Sequence, residues 1–158
     1  MNEAARSEAG EALTDLILSL FRVNNLTLAW GDRIVAPYGL TSARWQILGA
    51  IVYAERPQPV AWLARDLGAQ RQNVQRIVND LHKEGLIVFE PNPHHRRAQL
   101  VVLTEKGKQA YSAAIGAYNP KANALADGLP LKDIITAHRV VTMLREKLQR
   151  DSGDEKND

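Results

Sequence analysis

The sequence contains no cysteine, and this absence excludes several classes of protein. Without thiols the chain can form no disulfide framework, no thiolate zinc site and no cysteine-based oxidation switch. No run of residues approaches the ~18 apolar residues of a membrane-spanning helix. The first residues carry acids where a secretory signal would carry bases, so we expect a cytoplasmic protein with no membrane partner.

The signatures of catalysis and of cofactor binding are also missing. No pair among the 4 histidines has the i, i+4 spacing of a helical zinc site. No serine or threonine lies in a nucleophile elbow, and there is no glycine-rich phosphate loop. We therefore expect neither an enzyme nor a cofactor or metal site. The charged pairs Arg65-Asp66 and Lys83-Glu84 are expected to be solvated surface.

Length and composition are those of an ordinary globular protein. The chain has 158 residues, of which 45% are hydrophobic. A chain of this size is one domain by the usual size prior and can bury about two-thirds of its unfolded surface. The formal net charge of +2 is too small to indicate a nucleic-acid partner by itself. The positions of the charges therefore decide the question.

The stretch from Pro59 to Gly68 predicts a short amphipathic helix. Proline suits the first turn of a helix, where its missing N–H would have no intrahelical partner. The apolar side chains recur on one face, at Val60, Leu63, Ala64 and Leu67. We expect Gly68 to end this helix.

A second helix is predicted from about Gln70 to Lys83, with Gly85 as its left-handed stop. Its apolar stripe consists of Val74, Ile77, Val78 and Leu81. The opposite face carries amide and guanidinium side chains, which can reach base edges, where a solvated helix usually carries Glu and Lys. The candidates for DNA contact on this helix are Arg71, Gln72, Asn73, Gln75, Arg76 and Asn79. For the helix alone, a polar exterior without function is the alternative.

Two β-rich runs, Leu86 to Glu90 and Gln99 to Leu103, follow this helix and are joined by the segment PNPHHRRA. The prolines keep that segment out of the strand ladder. Its tip presents His94, His95, Arg96 and Arg97, and we expect the adjacent histidines to point apart in an extended strand. His95, Arg96 and Arg97 complete the candidates for DNA contact, because a basic hairpin beside a polar helix can contact two grooves.

With these motifs identified, the segment from Pro59 to Thr104 resembles the MarR family of bacterial transcriptional regulators. The first helix has the family's Leu-Ala pair, and the second has its L..GL exit. The wing signature Asp-x-Arg, followed by Leu-Thr, is matched except at its first position. These matches are Leu63-Ala64, Leu81 to Leu86, His95-Arg96-Arg97 and Leu103-Thr104. Since His95 replaces the usual Asp, it is open how Arg97 is held.

The resemblance implies a mainly α-helical fold with a small β-hairpin wing, in which a winged helix-turn-helix is flanked by N- and C-terminal dimerisation helices. We expect one MarR-like domain over residues 1–158, with the winged helix at 41–103 and helical dimerisation regions at 11–36 and 104–150. The resemblance further implies a transcriptional regulator of double-stranded DNA, expected to be a repressor. Gln72, Gln75 and Arg76 would read bases in the major groove, and Arg97 would enter the minor groove.

Helices are predicted on both sides of the winged helix. After frayed residues 1 to about 10, a long helix from Glu11 is expected to end at Pro37-Tyr38-Gly39, and Thr41 caps the next helix through Tyr53. Thr104 caps the helix after the wing. Pro120 then predicts a kink or a break, because proline removes a helical hydrogen bond and clashes with the preceding turn.

A final helix from Leu131 to about Gln149, after Gly128-Leu129-Pro130, carries an apolar seam. The seam residues alternate in spacings of three and four, at Ile134, Ala137, Val141, Leu144 and Leu148. The terminal helices hold more apolar residues than the winged-helix core can cover, so a homodimer is favoured over intramolecular packing. Two recognition helices related by a two-fold axis can read an inverted repeat in major grooves about 34 Å apart.

The resemblance also implies a small aromatic or anionic effector, bound in a cleft between the dimer helices and the winged helix. Candidate ligand-binding residues in segments expected to border that cleft are Trp30, Arg33, Tyr38, Trp45 and Tyr111. An aromatic core with a surface arginine is the alternative for each of them. The alternative for the whole protein is a winged-helix module that binds another protein and has no specific DNA site.

Overall fold

The computed structural model describes residues 5–154. The chain forms six α-helices, one turn of 3-10 helix and three short strands within these residues. In chain order they are α1 (Glu8–Val35), the 3-10 turn (Ala36–Tyr38), α2 (Ser42–Tyr53), β1 (Gln58–Pro59), α3 (Val60–Asp66), α4 (Arg71–Lys83), β2 (Ile87–Glu90), β3 (Leu100–Leu103), α5 (Glu105–Ala126) and α6 (Leu131–Asp154). The mainly helical fold with a β-hairpin wing is confirmed.

Helix α1 begins at Glu8, so the predicted start at Glu11 is wrong by one turn. The Ser7 side chain accepts a hydrogen bond from the Gly10 N–H, and the acids Glu8 and Glu11 lie in the first turn, where they favour the positive end of the helix. Of the segment predicted to be frayed, residues 1–4 lie outside the described part of the chain. The helix ends before Gly39, which has a φ of 71°.

The junction between α1 and α2 is built around Ser42, a buried polar residue. Its N–H donates to Asp32 Oδ1 at 2.6 Å, and its hydroxyl donates to the Leu28 carbonyl at 2.7 Å. Thr41 caps α2 as predicted, accepting from the Arg44 N–H. Both polar groups of Ser42 are therefore satisfied by α1, which fixes the two helices to each other.

Helices α3 and α4 form the predicted helix-turn-helix. Gly68 and Gly85 follow them with φ values of 62° and 74°, as the predicted left-handed stops require. Pro59 is not in the first turn of α3. It lies in β1, an edge strand that pairs with β3 through Gln58 with Val101 and Pro59 with Leu100. An edge strand tolerates proline, and two residues are too few to give a sequence pattern.

The wing consists of β2 and β3, which pair antiparallel from Ile87 with Leu103 to Glu90 with Leu100. Its base is buried in the same hydrophobic core as the helix-turn-helix. This core is formed by Ile34, Val35, Leu40, Ile47, Leu48, Val60, Leu63, Ala64, Val74, Val78, Leu81, Leu86, Ile87, Val101, Leu103 and Ala114. The core thus joins the end of α1, helices α2 to α5 and the wing.

Helix α5 is capped by Thr104 as predicted and continues through Pro120 to Ala126, so of the predicted kink or break the break does not occur. The proline costs the helix one bond, to the carbonyl of Gly116 four residues earlier. Pro120 and Gly116 are both exposed, and nothing lies within 4 Å of the position that a Gly116 Cβ would occupy. Water can therefore bond to the freed carbonyl, and the proline ring has room beside the glycine.

Helix α6 follows Gly128, whose φ is 77°, and runs to Asp154, beyond the predicted end near Gln149. None of its residues from Leu131 to Ser152 is buried. It contacts the rest of the chain sparsely, and one such contact is a hydrogen bond of 3.1 Å from Gln149 Nε2 to the Arg65 carbonyl. The predicted seam of this helix is therefore largely open to solvent.

Candidate nucleic-acid interface

The outward face of α4 is polar and accessible, with Val74, Val78 and Leu81 buried on the opposite side. Of its predicted contact residues, Gln75 is half-buried and the others are exposed: Arg71, Gln72, Asn73, Arg76 and Asn79. Two pairs are hydrogen-bonded along the helix. Gln75 Nε2 donates to Asn79 Oδ1 at 3.0 Å, and Arg76 Nη2 donates to Asn73 Oδ1 at 2.9 Å.

The C-terminal end of α4 is anchored by side chains from two other helices. Arg44 of α2 pairs with Glu84 at 2.8 Å between Nη1 and Oε1. From the start of α5, Lys106 Nζ donates to the Glu84 carbonyl at 2.7 Å and Thr104 Oγ1 donates to the Gly85 carbonyl at 2.6 Å. The expectation that Glu84 is a merely solvated charge is therefore wrong, since its partner lies far away in the sequence.

The C-terminal end of α4 is also supported by a close approach of α5 to the residue before β2. The Cβ of any residue larger than glycine at position 107 would overlap the Leu86 carbonyl oxygen. Leu86 also accepts a hydrogen bond of 3.1 Å from the Thr104 N–H. Contacts among a few residues thus join α4, which is the predicted recognition helix, to the wing and to the start of α5.

The wing tip is a pair of turns, and the expectation that His94 and His95 lie in an extended strand is wrong. Asn92, which the sequence reasoning missed, spans the tip. Its Nδ2 donates to the Ala98 carbonyl at 2.9 Å, and its Oδ1 accepts from the His94 N–H at 3.0 Å. An Asn between two prolines is a turn signal that could have revealed this role.

The basic side chains of the wing tip are accessible to solvent. His94, His95, Arg96 and Arg97 are all exposed. Within residues 5–154, no carboxylate lies within ion-pair distance of Arg96 or Arg97. The wing is therefore shaped by amide hydrogen bonds from Asn92, in place of the Asp that His95 replaces.

The five predicted ligand-binding residues divide between half-buried and exposed positions. Trp30 and Trp45 are half-buried and pack edge-to-face on Tyr118, at centroid distances of 5.6 and 5.1 Å. Trp45 Nε1 is buried without a hydrogen-bond partner. Burial and the neighbouring Tyr53 hydroxyl raise the pKa of Tyr111 to about 12, so its phenol is protonated at neutral pH. The remaining two, Arg33 and Tyr38, are exposed.

A large groove of about 1560 Å³ lies instead between α6, α1 and the helix-turn-helix. Its walls combine apolar side chains of α1 and α6 with three arginines, one from each of α3, α4 and α6, and one acid, Asp66. Lining residues include Leu20, Val141, Leu144, Leu148, Arg65, Arg71 and Arg145. The sequence reasoning missed this site because its walls come from distant parts of the chain.

No helix among those described combines the length and the apolar character needed to cross a bilayer. Within residues 5–154, no three His, Cys, Asp or Glu side chains are grouped so that they could hold a metal ion.

Comparison with known proteins decides the family. The sequence profile of the MarR family matches residues 38–98, which include α2, the helix-turn-helix, and the first strand and tip of the wing. The uncharacterized protein Rv2011c of Mycobacterium tuberculosis is 36% identical over 119 residues, covering 75% of this chain and 82% of the relative. The chain belongs to the MarR family. It is thus a DNA-binding transcriptional regulator and not an enzyme.

A second relative extends over more of the chain. The transcriptional activatory protein BadR of Rhodopseudomonas palustris is 27% identical over 153 residues, which cover 90% of this chain and 84% of BadR. The match therefore includes the terminal helices as well as the MarR winged helix.

Solved structures of MarR regulators share the fold at low sequence identity. The M. tuberculosis regulator MosR, solved in complex with DNA, has a TM-score of 0.70 and 20% identity over 85% of this chain and 96% of MosR. CouR from Rhodococcus jostii RHA1, solved with p-coumaroyl-CoA, has a TM-score of 0.66 and 23% identity over 85% of this chain and 90% of CouR. Identities this low establish the fold alone.

The hydrogen bonds of Asn92 at the wing tip give the first prediction. Asn92→Ala removes a donor and an acceptor that shape the tip, so affinity for any DNA duplex should fall about 2- to 10-fold, as expected for hydrogen bonds of modest net strength. Fluorescence anisotropy with operator and random duplexes measures it, and the melting temperature should change little because the tip is exposed. Asn92→Asp keeps the acceptor and should lose less of the wing's order. Unchanged affinity in Asn92→Ala would show that DNA binding does not depend on the Asn92 hydrogen bonds.

Proposed function

We propose that the protein is a ligand-responsive repressor that binds an inverted-repeat operator as a homodimer. Each protomer would insert α4 into a major groove and place its wing along the adjacent minor groove. The observation that supports this most directly is the anchoring of α4 to the wing around Glu84 and Leu86. That anchoring holds a polar helix face and a cationic tip in one fixed arrangement.

The face of α4 has the chemistry that base reading requires. The major groove presents a distinct donor and acceptor pattern for each base pair, and amide and guanidinium groups match it with paired hydrogen bonds. Gln72 and Arg76 are fully accessible, and Gln75 is partly so. No Asp or Glu lies among residues 71–79 to repel the phosphates.

The wing provides contacts of a different kind. Arg96 and Arg97 at an exposed tip can approach phosphates or the minor groove, where binding releases counterions and depends little on sequence. His95 can add a polar contact there. The different kinds of DNA contact proposed for α4 and for the wing give the second prediction.

Arg97→Ala should weaken binding to operator and random DNA alike and reduce the salt slope by about one unit, because one fewer cation neutralises a phosphate. Gln75→Ala should instead cost about 1 to 3 kcal/mol on the operator and little on random DNA. Affinities measured over a series of salt concentrations separate the two effects. If both variants lost only operator binding, or if neither lost any, the assignment of helix and wing would be wrong.

The terminal helices support the dimer. Their exposed apolar residues include Leu13, Leu18, Phe21, Val23 and Leu26 of α1, and Leu131, Ile134, Ile135, Val140, Met143 and Leu148 of α6. Exposed apolar surface on this scale usually marks an interface between proteins. We therefore assign residues 11–36 and 104–150 to dimerisation and residues 41–103 to DNA binding within one MarR-like unit.

The third prediction tests this interface. Leu26 and Leu131 are 71% and 72% exposed, so the protomer does not need them for its own core. Leu26→Asp or Leu131→Asp should halve the mass measured by light scattering, because a carboxylate buried in an apolar interface is costly. Val52→Asp on α2, at a position 43% exposed, is the matched control and should keep the mass of the parent. Parental mass in both α1 and α6 variants would exclude this dimer.

The groove beside α6 is the better candidate for an effector site than the aromatic cluster around Tyr118. Apolar walls with three arginines suit an aromatic or aliphatic compound that carries an acidic group. CouR was solved with p-coumaroyl-CoA, which also combines an aromatic and an anionic part. Because Arg71 lies both in the groove and on α4, a bound anion would compete with a DNA phosphate for it.

The fourth prediction follows from that competition. Aromatic carboxylates should release the operator, and their uncharged primary amides should not. Arg145→Ala, which lies outside α4, should raise the concentration needed for release while leaving operator affinity without ligand unchanged. Titration of the operator complex with matched pairs such as benzoate and benzamide provides the measurement. Equal action of acids and amides, or no shift in Arg145→Ala, would contradict an anionic effector at this site.

The direction of regulation is open to direct measurement. BadR is named an activatory protein, so activation is the alternative to repression for this chain. Transcript levels of the regulated genes in a strain without the gene would rise for a repressor and fall for an activator.

A further inference from the structure

The polar side chains on α4 are ordered before any DNA is present. Asn73 accepts a hydrogen bond from Arg76, and Asn79 accepts one from Gln75. Asn73, Arg76 and Asn79 are exposed, and Gln75 is half-buried. Since exposed long side chains gain little from bonding to each other in water, their pairing needs an explanation in terms of what they bind.

We infer that Asn73 and Asn79 are positioning residues, which orient Arg76 to read a guanine and Gln75 to read an adenine within each half-site. The inference rests on the proposed function, because it assumes that α4 enters the major groove. It goes further by naming the bases and by giving the two asparagines roles that act through their neighbours.

For Arg76, the bond to Asn73 restricts a side chain that would otherwise sample many rotamers. One Nη2 hydrogen is used, and the other four guanidinium donors stay free. Two parallel donors match the O6 and N7 acceptors that guanine presents in the major groove, and no other base presents two acceptors on one edge there. A guanidinium ordered beforehand loses less entropy on binding.

For Gln75, the hydrogen bond to Asn79 sets the orientation of the side-chain amide. In the structure, Gln75 turns its NH2 group toward the Oδ1 acceptor of Asn79. The Gln75 Oε1 acceptor and one Nε2 hydrogen are left free. Together they match the N6 donor and N7 acceptor of adenine.

The two reading residues are adjacent in the chain, and their Cα atoms are about 3.8 Å apart. Consecutive side chains diverge by about 100° around a helix, so the two reach toward different parts of the groove. We therefore expect the guanine and the adenine within one half-site.

Selection of bound duplexes from a random pool, followed by affinity measurements on single-base variants, tests the inference. The preferred half-site of the parent should contain the guanine and the adenine. Arg76→Ala should lose about 5- to 150-fold discrimination at the guanine alone, and Gln75→Ala should do the same at the adenine alone. Replacing the guanine by 7-deazaguanine, which lacks the N7 acceptor, should weaken the parent and leave Arg76→Ala unaffected.

The roles of the two asparagines are tested by substituting each one alone and together with the residue that it positions. Asn73→Ala should reduce discrimination at the guanine about 2- to 12-fold, and it should have no further effect once Arg76 is Ala. Asn73→Asp keeps the acceptor and should restore the preference, although its charge will weaken binding to every duplex. Asn79→Ala and Asn79→Asp should behave in the same way toward the adenine and Gln75. Because these residues are exposed, the melting temperatures should match that of the parent.

The outcomes distinguish this inference from the proposed function. If the parent selects no sequence, both fail. If the parent selects a sequence but Asn73→Ala and Asn79→Ala keep its base preferences, or if their effects add to those of Arg76→Ala and Gln75→Ala, the protein is a sequence-specific regulator and the positioning roles are refuted.

Discussion

The rest of the structure depends on the contact between the end of the recognition helix and the start of α5. Gly107 lets the backbone of α5 reach the Leu86 carbonyl, and Thr104 bonds to Gly85 across the same junction. Arg44 and Lys106 then hold Glu84 from α2 and α5. The ion pair alone contributes little, about 0.2 to 1 kcal/mol for a partly exposed pair. Together these contacts fix the angle between α4 and the wing, on which simultaneous contact with two grooves depends.

The opposite end of α4 is held less firmly. Gln70, at its N-terminus, makes no side-chain cap, and Arg71 and Gln72 line the groove that α6 borders. A ligand in that groove would therefore act on the less constrained end of the helix, while the anchored end serves as a pivot. Coupling between two sites requires an element whose arrangement both sites bias, and α4 borders both the groove beside α6 and the face proposed to bind bases.

Local features of this fold were predictable because their causes lie within a few residues. The caps at Thr41 and Thr104 and the stops at Gly68 and Gly85 follow from side-chain chemistry and backbone freedom alone. Features that depend on distant partners were not. Strand β1 exists only because β3 is beside it, and Glu84 is fixed by Arg44, forty residues earlier. Pro120 shows the limit of a local rule, since solvent and Gly116 removed the penalty that usually breaks a helix.

The winged helix and α6 are stabilised in different ways, and this difference affects DNA recognition. The winged helix has its own core, whereas α6 buries no side chain within residues 131–152. The position of α6 must therefore depend on what covers its apolar faces. If a second copy covers them, the distance between the two recognition helices is set by the dimer and not by the fold of one protomer. Base identity would then be read by α4 and half-site spacing by the terminal helices, and a ligand in the groove beside α6, which Gln72 lines, could change both.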